Sequence, residues 1–331
     1  MDDNAAKKMH LDVIQTRQHV RAVDDLFNFT RVAGYGREGR CASLTAPSDC
    51  GKSTAVTALK KRLCDEAAKR GARSPLLWIK VPPNPALRTF YEHLLTKLDA
   101  PCTPRDTSED RRIRILAFLK KLDIHIIILD EFQHLDNARG VDLSGVCDAV
   151  KSLMNDGRVG IIIVGMPLAE DLLGQDEQLL RRRYTAVRLF PFCDRQNPEM
   201  TTEEAIDVDF AEFKAVMKLF AEGFGCPDTD FILQDPVALR ILRYTKGTIG
   251  RLLNFVEAAS DDATKRALKG IDEAAIQATV RLQKLELRGP IPPLMGDTPK
   301  SKRAKRKVSK AERQFRSSMG QFRSDNDGDQ R

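Results

Sequence analysis

Apolar and polar positions along the chain follow two periods, and the switches between them mark the elements. Runs of consecutive apolar, mostly β-branched residues, such as Ile126-Ile127-Ile128-Leu129 and Ile161-Ile162-Ile163-Val164, suit strands buried on both faces of a parallel sheet. Residues 41–45, 75–81, 124–129, 159–164 and 185–190 read as five such strands. Between them, a helix from Lys52, the segments 86–98, 108–122 and 141–154, and a helix opened by Pro167 carry apolar residues at helical spacing. Strands alternating with helices predict an α/β unit with a parallel sheet sandwiched by helices. Ahead of it, residues 9–29 place Leu11, Val13, Ile14, Val20, Val23, Leu26 and Phe27 on the apolar side of an amphipathic helix. Beyond Phe192 the strand pattern stops, and 203–221, 236–244, 250–259 and 271–287 all read as helices of a smaller unit.

Two segments bring chemistry to this frame. The stretch Ala46-Pro47-Ser48-Asp49-Cys50-Gly51-Lys52-Ser53-Thr54 joins the first strand to its helix, the context in which a phosphate-binding loop works. Backbone N–H groups of Ser48, Asp49, Cys50, Gly51 and Thr54 surround the place of a β-phosphate at a helix N-terminus, Lys52 reaches the outer oxygens, and Ser53 offers its hydroxyl to Mg²⁺. The motif's first glycine is replaced by Ala46, which is tolerable where φ is negative. The partner segment, Ile124 through Leu129 followed by Asp130-Glu131, reads as a Walker B strand with two carboxylates at its C-terminal end, where open α/β sheets bind ligands. Asp130 then serves the magnesium shell and Glu131 acts as the general base toward water. The expected ligands are ATP and Mg²⁺. His134, four residues past Asp130 and without a second ligand nearby, reads as a packing or hydrogen-bonding residue.

Composition narrows the class. The 331 residues carry a net charge of +7 with 42% hydrophobic content, enough for a proper core. Seven cysteines lie scattered without a C-x-x-C pair, so neither a zinc site nor a disulfide framework is indicated, and a cytoplasmic setting is expected. The acidic start Met1-Asp2-Asp3 lacks a signal-peptide pattern, and no apolar run is long enough to span a bilayer. Charge is uneven: residues 297–331 hold eleven Lys/Arg against five Asp/Glu. With the Pro-rich 289–293 before it, this tail reads as disordered and basic, fit either to attract phosphate backbones or simply to solubilise the chain.

An α/β nucleotide unit with a helical lid resembles the AAA+ ATPases. Gln178-Leu179-Leu180-Arg181-Arg182-Arg183, after the fourth strand and its helix, falls where that family carries an arginine finger acting on a neighbouring subunit's nucleotide. The resemblance implies Arg183, with Arg182 in reserve; a solvated helix end is the alternative. Thr248-Ile249-Gly250-Arg251 is similar to the sensor 2 motif, which makes Arg251 a nucleotide contact unless it only covers apolar neighbours. Within AAA+ proteins, Leu129-Asp130-Glu131-Phe132-Gln133-His134-Leu135, Pro82-Pro83-Asn84-Pro85 and Val164-Gly165-Met166-Pro167 resemble the TniB/TnsC regulators of bacterial DNA transposition over residues 20–285. That likeness implies an AAA+ P-loop NTPase with a five-stranded parallel sheet: a helical segment at 1–30, the nucleotide domain at 31–195, a helical lid at 196–288 and a disordered basic tail at 289–331. It also implies assembly with ATP on double-stranded DNA as a homo-oligomeric ring or helical filament, near the nucleoid, with a DDE transposase and a TniQ-type targeting protein as partners. The polar sensor 1 residue of many AAA+ strands is absent, since Gly165 and Met166 stand there, so slow or partner-dependent hydrolysis is expected.

The same likeness turns the interval between the second strand and the Walker B strand toward DNA. Arg88, Thr89, Lys97, Arg105, Thr107, Arg111 and Arg112 are the candidates there, mainly for phosphate oxygens. Two other readings stay open: a helicase loader or replication-initiator type of AAA+ protein, and a signalling or scaffold NTPase.

Overall fold

The computed structural model describes residues 16–33, 39–72, 74–83, 85–137 and 141–285. Five parallel strands, β1 (Cys41–Thr45), β2 (Leu76–Lys80), β3 (Ile126–Asp130), β4 (Gly160–Gly165) and β5 (Arg183–Arg188), form one sheet in the order β2-β3-β4-β1-β5. The period-2 alternation sorts their side chains cleanly. Ile127, Leu129, Ile161 and Ile163 enter one core, and Ile126, Ile128, Ile162, Val164, Ala42 and Leu44 the other.

The first core is covered by α3 (Leu87–Lys97), α4 (Ser108–Lys121), α5 (Val141–Asp156), α6 (Leu168–Gln175) and the short α7 (Glu177–Arg181). The second is covered by α1 (Arg17–Val32) and α2 (Lys52–Lys69). Helix α1 sinks Ala22, Val23, Leu26, Phe27 and Phe29 into the same core as β1 and α2. Val20, expected on the apolar side, is exposed instead, because it lies off the face that meets the sheet. Leu11, Val13 and Ile14 lie outside the described residues.

Local chemistry explains where helices begin. Thr107 caps α4, accepting from the Asp110 N–H at 3.1 Å while Asp110 accepts from the Thr107 N–H at 2.9 Å. With Glu109 and Asp110 in its first turn and Lys120 and Lys121 in its last, α4 also matches the helix dipole.

The fifth strand begins two residues earlier than the apolar pattern suggests. Arg183 pairs with Cys41 and Thr185 with Ala42, leaving Tyr184 as an extra residue opposite the β1 edge. Such a bulge reverses the alternation of side chains across it. Arg183 therefore belongs to a strand rather than to a helix end, and it shares a face with Arg188.

Past β5, α8 (Glu203–Gly223), α9 (Asp235–Thr245), α10 (Ile249–Lys265) and α11 (Glu273–Leu282) build a separate core around Phe213, Met217, Phe220, Leu252 and Phe255. Arg17 ties α1 to α8 through Glu212 at 3.1 Å, and Arg21 reaches Glu199, in the segment ahead of α8, at 2.9 Å. The basic segment 289–331 lies outside the described residues. No helix among the described residues is long and apolar enough to cross a membrane.

Candidate nucleotide-binding site

The loop from Ala46 to Gly51 leaves the C-terminal end of β1 and turns directly into α2. Its two left-handed residues are Asp49, φ 64°, and Gly51, φ 82°; Ala46 is not among the residues with positive φ. The missing first glycine is therefore not required, and the conformational demand has moved to Asp49, whose short polar side chain tolerates it. Gly51 is needed on two counts. Its φ favours glycine, and a Cβ there would lie 2.1 Å from His19 Nε2.

His19 went unnoticed in the sequence. It projects from α1 against the back of the loop, 3% exposed, with Nε2 donating to the Cys50 carbonyl at 3.1 Å and Nδ1 accepting from the Thr16 hydroxyl at 2.8 Å. Burial lowers its pKa, against the raising effects of the Cys50 carbonyl and Glu212. A neutral ring with its proton on Nε2 satisfies both contacts. A histidine on the apolar side of a predicted helix was the one available sign.

Lys52 donates to the carbonyls of Ala46 at 2.8 Å and Pro47 at 2.9 Å. Burial pulls its pKa down, while the charges of Glu131, Asp130 and Asp49 pull it up. The ammonium group and the two carboxylates thus share one field at the C-terminal edge of the sheet. Cys50 is buried and inert, its thiol pushed up to about 11 by burial. Ser48, Asp49 and Ser53 are exposed at the mouth of the loop, with Thr54 half-buried behind.

Asp130, 4% exposed, accepts from the Trp78 indole at 3.3 Å and from the Glu131 N–H at 2.9 Å. Burial raises its pKa, and the bonded Glu131 N–H opposes this. A cation beside such a carboxylate offsets the cost of keeping it ionised. One hydroxyl, Ser53, and one carboxylate, Asp130, are hard oxygen donors of the kind that Mg²⁺ combines with phosphate and water oxygens. No group of three or more His, Cys, Asp or Glu that could hold a metal occurs among the described residues. Ser53 and Asp130 therefore fit a magnesium ion that takes its remaining oxygens from phosphate and water.

Glu131 follows in a left-handed conformation, φ 57°. The turn is held by the 3₁₀ segment Phe132–Asn137, whose Phe132 and Leu135 are buried, and by His134, whose Nδ1 donates to the Val81 carbonyl at 2.8 Å. His134 is thus a hydrogen-bonding residue.

Arg251 stands in the first turn of α10, 3.5 Å from Asp49. The Gly250 N–H donates to the Asp49 carbonyl at 2.8 Å. The sequence placed both residues at this helix start, and the fold brings them to the phosphate loop.

The arginine pair after α7 is placed elsewhere. Arg183 pairs with Cys41 at the start of β1, the end of the sheet away from the loop. It donates to Glu170 at 3.0 Å, and Arg188 donates to the same carboxylate at 2.7 Å. Arg182 donates to Asn155 at 2.9 Å. Neither arginine joins this chain's own phosphate loop.

Of the residues considered for DNA, Arg111 must be withdrawn. It is 1% exposed and donates to the carbonyls of Thr103 and Asp106, with Glu92 at 3.3 Å. A guanidinium buried to this degree and bonded to loop carbonyls is closed to a phosphate at the surface. Thr107 spends its hydroxyl on the helix cap, and Arg112 is held by Glu109 at 2.6 Å and Asp156 at 2.7 Å. Arg88 donates to Glu92 and to the Pro104 carbonyl. Lys97 and Arg105 are exposed, and Thr89 is half-buried.

Residues 8–193 match the family model described as Bacterial TniB protein. No curated protein matches the sequence. Among solved structures, the Aeropyrum pernix ORC2 protein in its ADPNP-ADP complexes aligns with a TM-score of 0.59 at 15% identity, covering 82% of this chain and 69% of that one. The Aeropyrum pernix ORC1 protein in complex with DNA gives 0.59 at 14% identity, over 82% and 66%. Drosophila ORC bound to DNA gives 0.57 at 14%, over 86% and 68%. At such identities the likeness establishes the fold, that of the AAA+ ATPases.

Proposed function

The chain belongs to the TniB family and has the AAA+ ATPase fold, and on that premise we propose that it binds and hydrolyses ATP to control its assembly on double-stranded DNA during transposition. The observation that carries this reading is the convergence on one loop of Lys52, the Asp130-Glu131 pair and Arg251, drawn from three separate parts of the chain.

In this reading the N–H groups of residues 48–54 and the Lys52 ammonium bind the β- and γ-phosphates, while Arg251 approaches from the helical lid. Ser53 and Asp130 would hold Mg²⁺, which when bound would supply charge neutralisation at the phosphate oxygens. Glu131 accepts a proton from the water that attacks the terminal phosphorus, and the bond to the bridging oxygen breaks to release ADP and phosphate. Arg183, with Arg182 beside it, serves a neighbouring copy's nucleotide in a ring or filament. Glu170 holds the Arg183 side chain until then.

DNA contact falls to Arg105 and Lys97, supported by Arg88, Thr89 and Arg112 at their exposed sides. Arg105 sits on a loop that Arg88, Arg111 and Arg114 fasten at Pro104, Thr103 and Pro101, so a rigid loop presents it. Two solved relatives of the same fold are described with DNA, in keeping with this use. A DDE transposase and a TniQ-type protein are the partners that the family suggests, in a cytoplasmic, nucleoid-associated setting. The domain plan is a nucleotide unit over 31–195 with α1 against it, a lid over 196–288 and a basic tail over 289–331.

Negative-stain imaging with duplex DNA tests the proposal, comparing a non-hydrolysable ATP analogue, ADP and no nucleotide. Rings or filaments on DNA with the analogue alone are expected. No assembly in any state would move the function to the signalling or loader readings, and stable binding to a replicative helicase would single out the loader.

A further inference from the structure

At the C-terminal end of β4, Gly165 and Met166 supply no polar side chain to order water beside the nucleotide. The structure fills that place from the other side. The Gln133 side chain spans the gap between β3 and β4, its amide N–H donating to the Glu131 carboxylate and its carbonyl oxygen accepting from the Met166 N–H at 3.0 Å. Gly165 makes the room: a Cβ there would lie 2.6 Å from Gln133 Oε1 and 2.8 Å from Ala169 Cβ. The glycine on β4 and the glutamine two residues after Glu131 are thus one arrangement.

Glu131 needs such a partner. Its left-handed φ of 57° is uncommon for a residue with a side chain and is held only where the surroundings fix it. Phe132 and Leu135 anchor the backbone of the turn, but only Gln133 is bonded to the carboxylate itself among the described residues. An amide whose other end is tied to the β4 backbone has little freedom to rotate. It can therefore hold the carboxylate in one orientation.

We infer that Gln133 is the positioning residue of Glu131, standing in for the polar side chain that β4 lacks. This rests on the reading of Glu131 as the base for ATP hydrolysis. It places Gln133 behind the carboxylate, where it changes the rate of the chemical step and leaves nucleotide binding alone. A base displaced by a fraction of an ångström loses a large factor in rate, about tenfold to a hundredfold.

The test measures ATP hydrolysis and nucleotide affinity for the full chain, Gln133→Ala, Glu131→Gln and the double variant. Gln133→Met, of equal length, repeats the measurement should the alanine variant fail to fold. The expected result is a kcat lowered about tenfold to a hundredfold with KM and nucleotide affinity within about twofold. In the Glu131→Gln background, Gln133→Ala is expected to add no further loss, because a residue acting through Glu131 has nothing left to position. Full activity in Gln133→Ala and Gln133→Met, a loss confined to KM, or losses that multiply in the double variant would each overturn the inference. Absence of hydrolysis by the unaltered chain, with or without DNA, would instead overturn the ATPase reading on which it stands.

Discussion

Asp49 of the phosphate loop accepts the Gly250 N–H at 2.8 Å and lies 3.5 Å from the Arg251 guanidinium, across more than two hundred residues of sequence. The first turn of α10 therefore touches the loop proposed to hold the phosphates. Replacing Arg251 with Ala removes a charged donor without disturbing the Gly250 contact. Nucleotide affinity is expected to fall about tenfold, the worth of one hydrogen bond to a charged group. Titration with a fluorescent ATP analogue checks it, and unchanged affinity would leave Arg251 as a surface residue.

Glu131→Gln keeps the size of the side chain and removes its basicity. ATP binding is expected to persist while turnover falls by about two to four orders of magnitude. Complexes on DNA should then outlast those of the unaltered chain. Faster disassembly, followed by light scattering after ATP addition, would contradict the assigned role.

Gly51→Ala brings strain and collision together. A left-handed alanine costs about 1–2 kcal/mol, and its Cβ has no room beside His19 Nε2 at 2.1 Å. Thermal melting is expected to show a lowered Tm with nucleotide stabilisation lost. Gly51→Ala combined with His19→Ala removes the collision but not the strain, and it also strips the Cys50 carbonyl and the Thr16 hydroxyl of the ring, so the double variant is expected to lose less Tm than the sum of the two single variants.

The pH dependence follows from His19. Burial lowers its folded pKa below the ordinary 6.5, so below that pH the unfolded chain takes up a proton that the folded chain resists. Its contribution is intact above pH 6.5 and is lost progressively as the pH falls. Tm measured from pH 7.5 down to 5.5 is expected to drop more steeply for the native chain than for His19→Gln. Parallel curves would show that the ring does not titrate in this window.

Arg111 and Arg105 should separate structure from binding. Arg111→Leu removes the charged donor that fastens the Thr103 and Asp106 carbonyls, bonds worth about 1.5–3 kcal/mol each when one partner is charged, and is expected to lower Tm. Arg105→Ala should leave Tm unchanged and weaken DNA binding equally on unrelated sequences, with a shallower salt slope. The reverse pattern would reassign both residues.

Much of this architecture was legible before any coordinates. The Ile-rich runs of β3 and β4 could only be strands covered on both faces, and the observed bounds of β1, Cys41–Thr45, coincide with the apolar run before the phosphate loop. Lys52, Ser53, Asp130 and Glu131 could be proposed from the sequence because the roles assigned to them are tied to positions at strand and helix ends. Arg111 was misjudged because periodicity describes which face a residue occupies, and a buried guanidinium satisfied by loop carbonyls leaves no mark in a single sequence.

What the sequence by itself determined is the local part: strand against helix, the loop that turns into α2, the paired carboxylates, and the helix start at Gly250-Arg251. Each depends on spacing along one segment. The tertiary structure alone decided which segments meet. His19 against Gly51, Gln133 between Glu131 and Met166, and the bulge at Tyr184 that sets Arg183 and Arg188 on one carboxylate all depend on neighbours far apart in the chain or on the register between strands. Those relationships arise from close packing and from the pairing of buried polar groups, which become definite only when the elements are in contact.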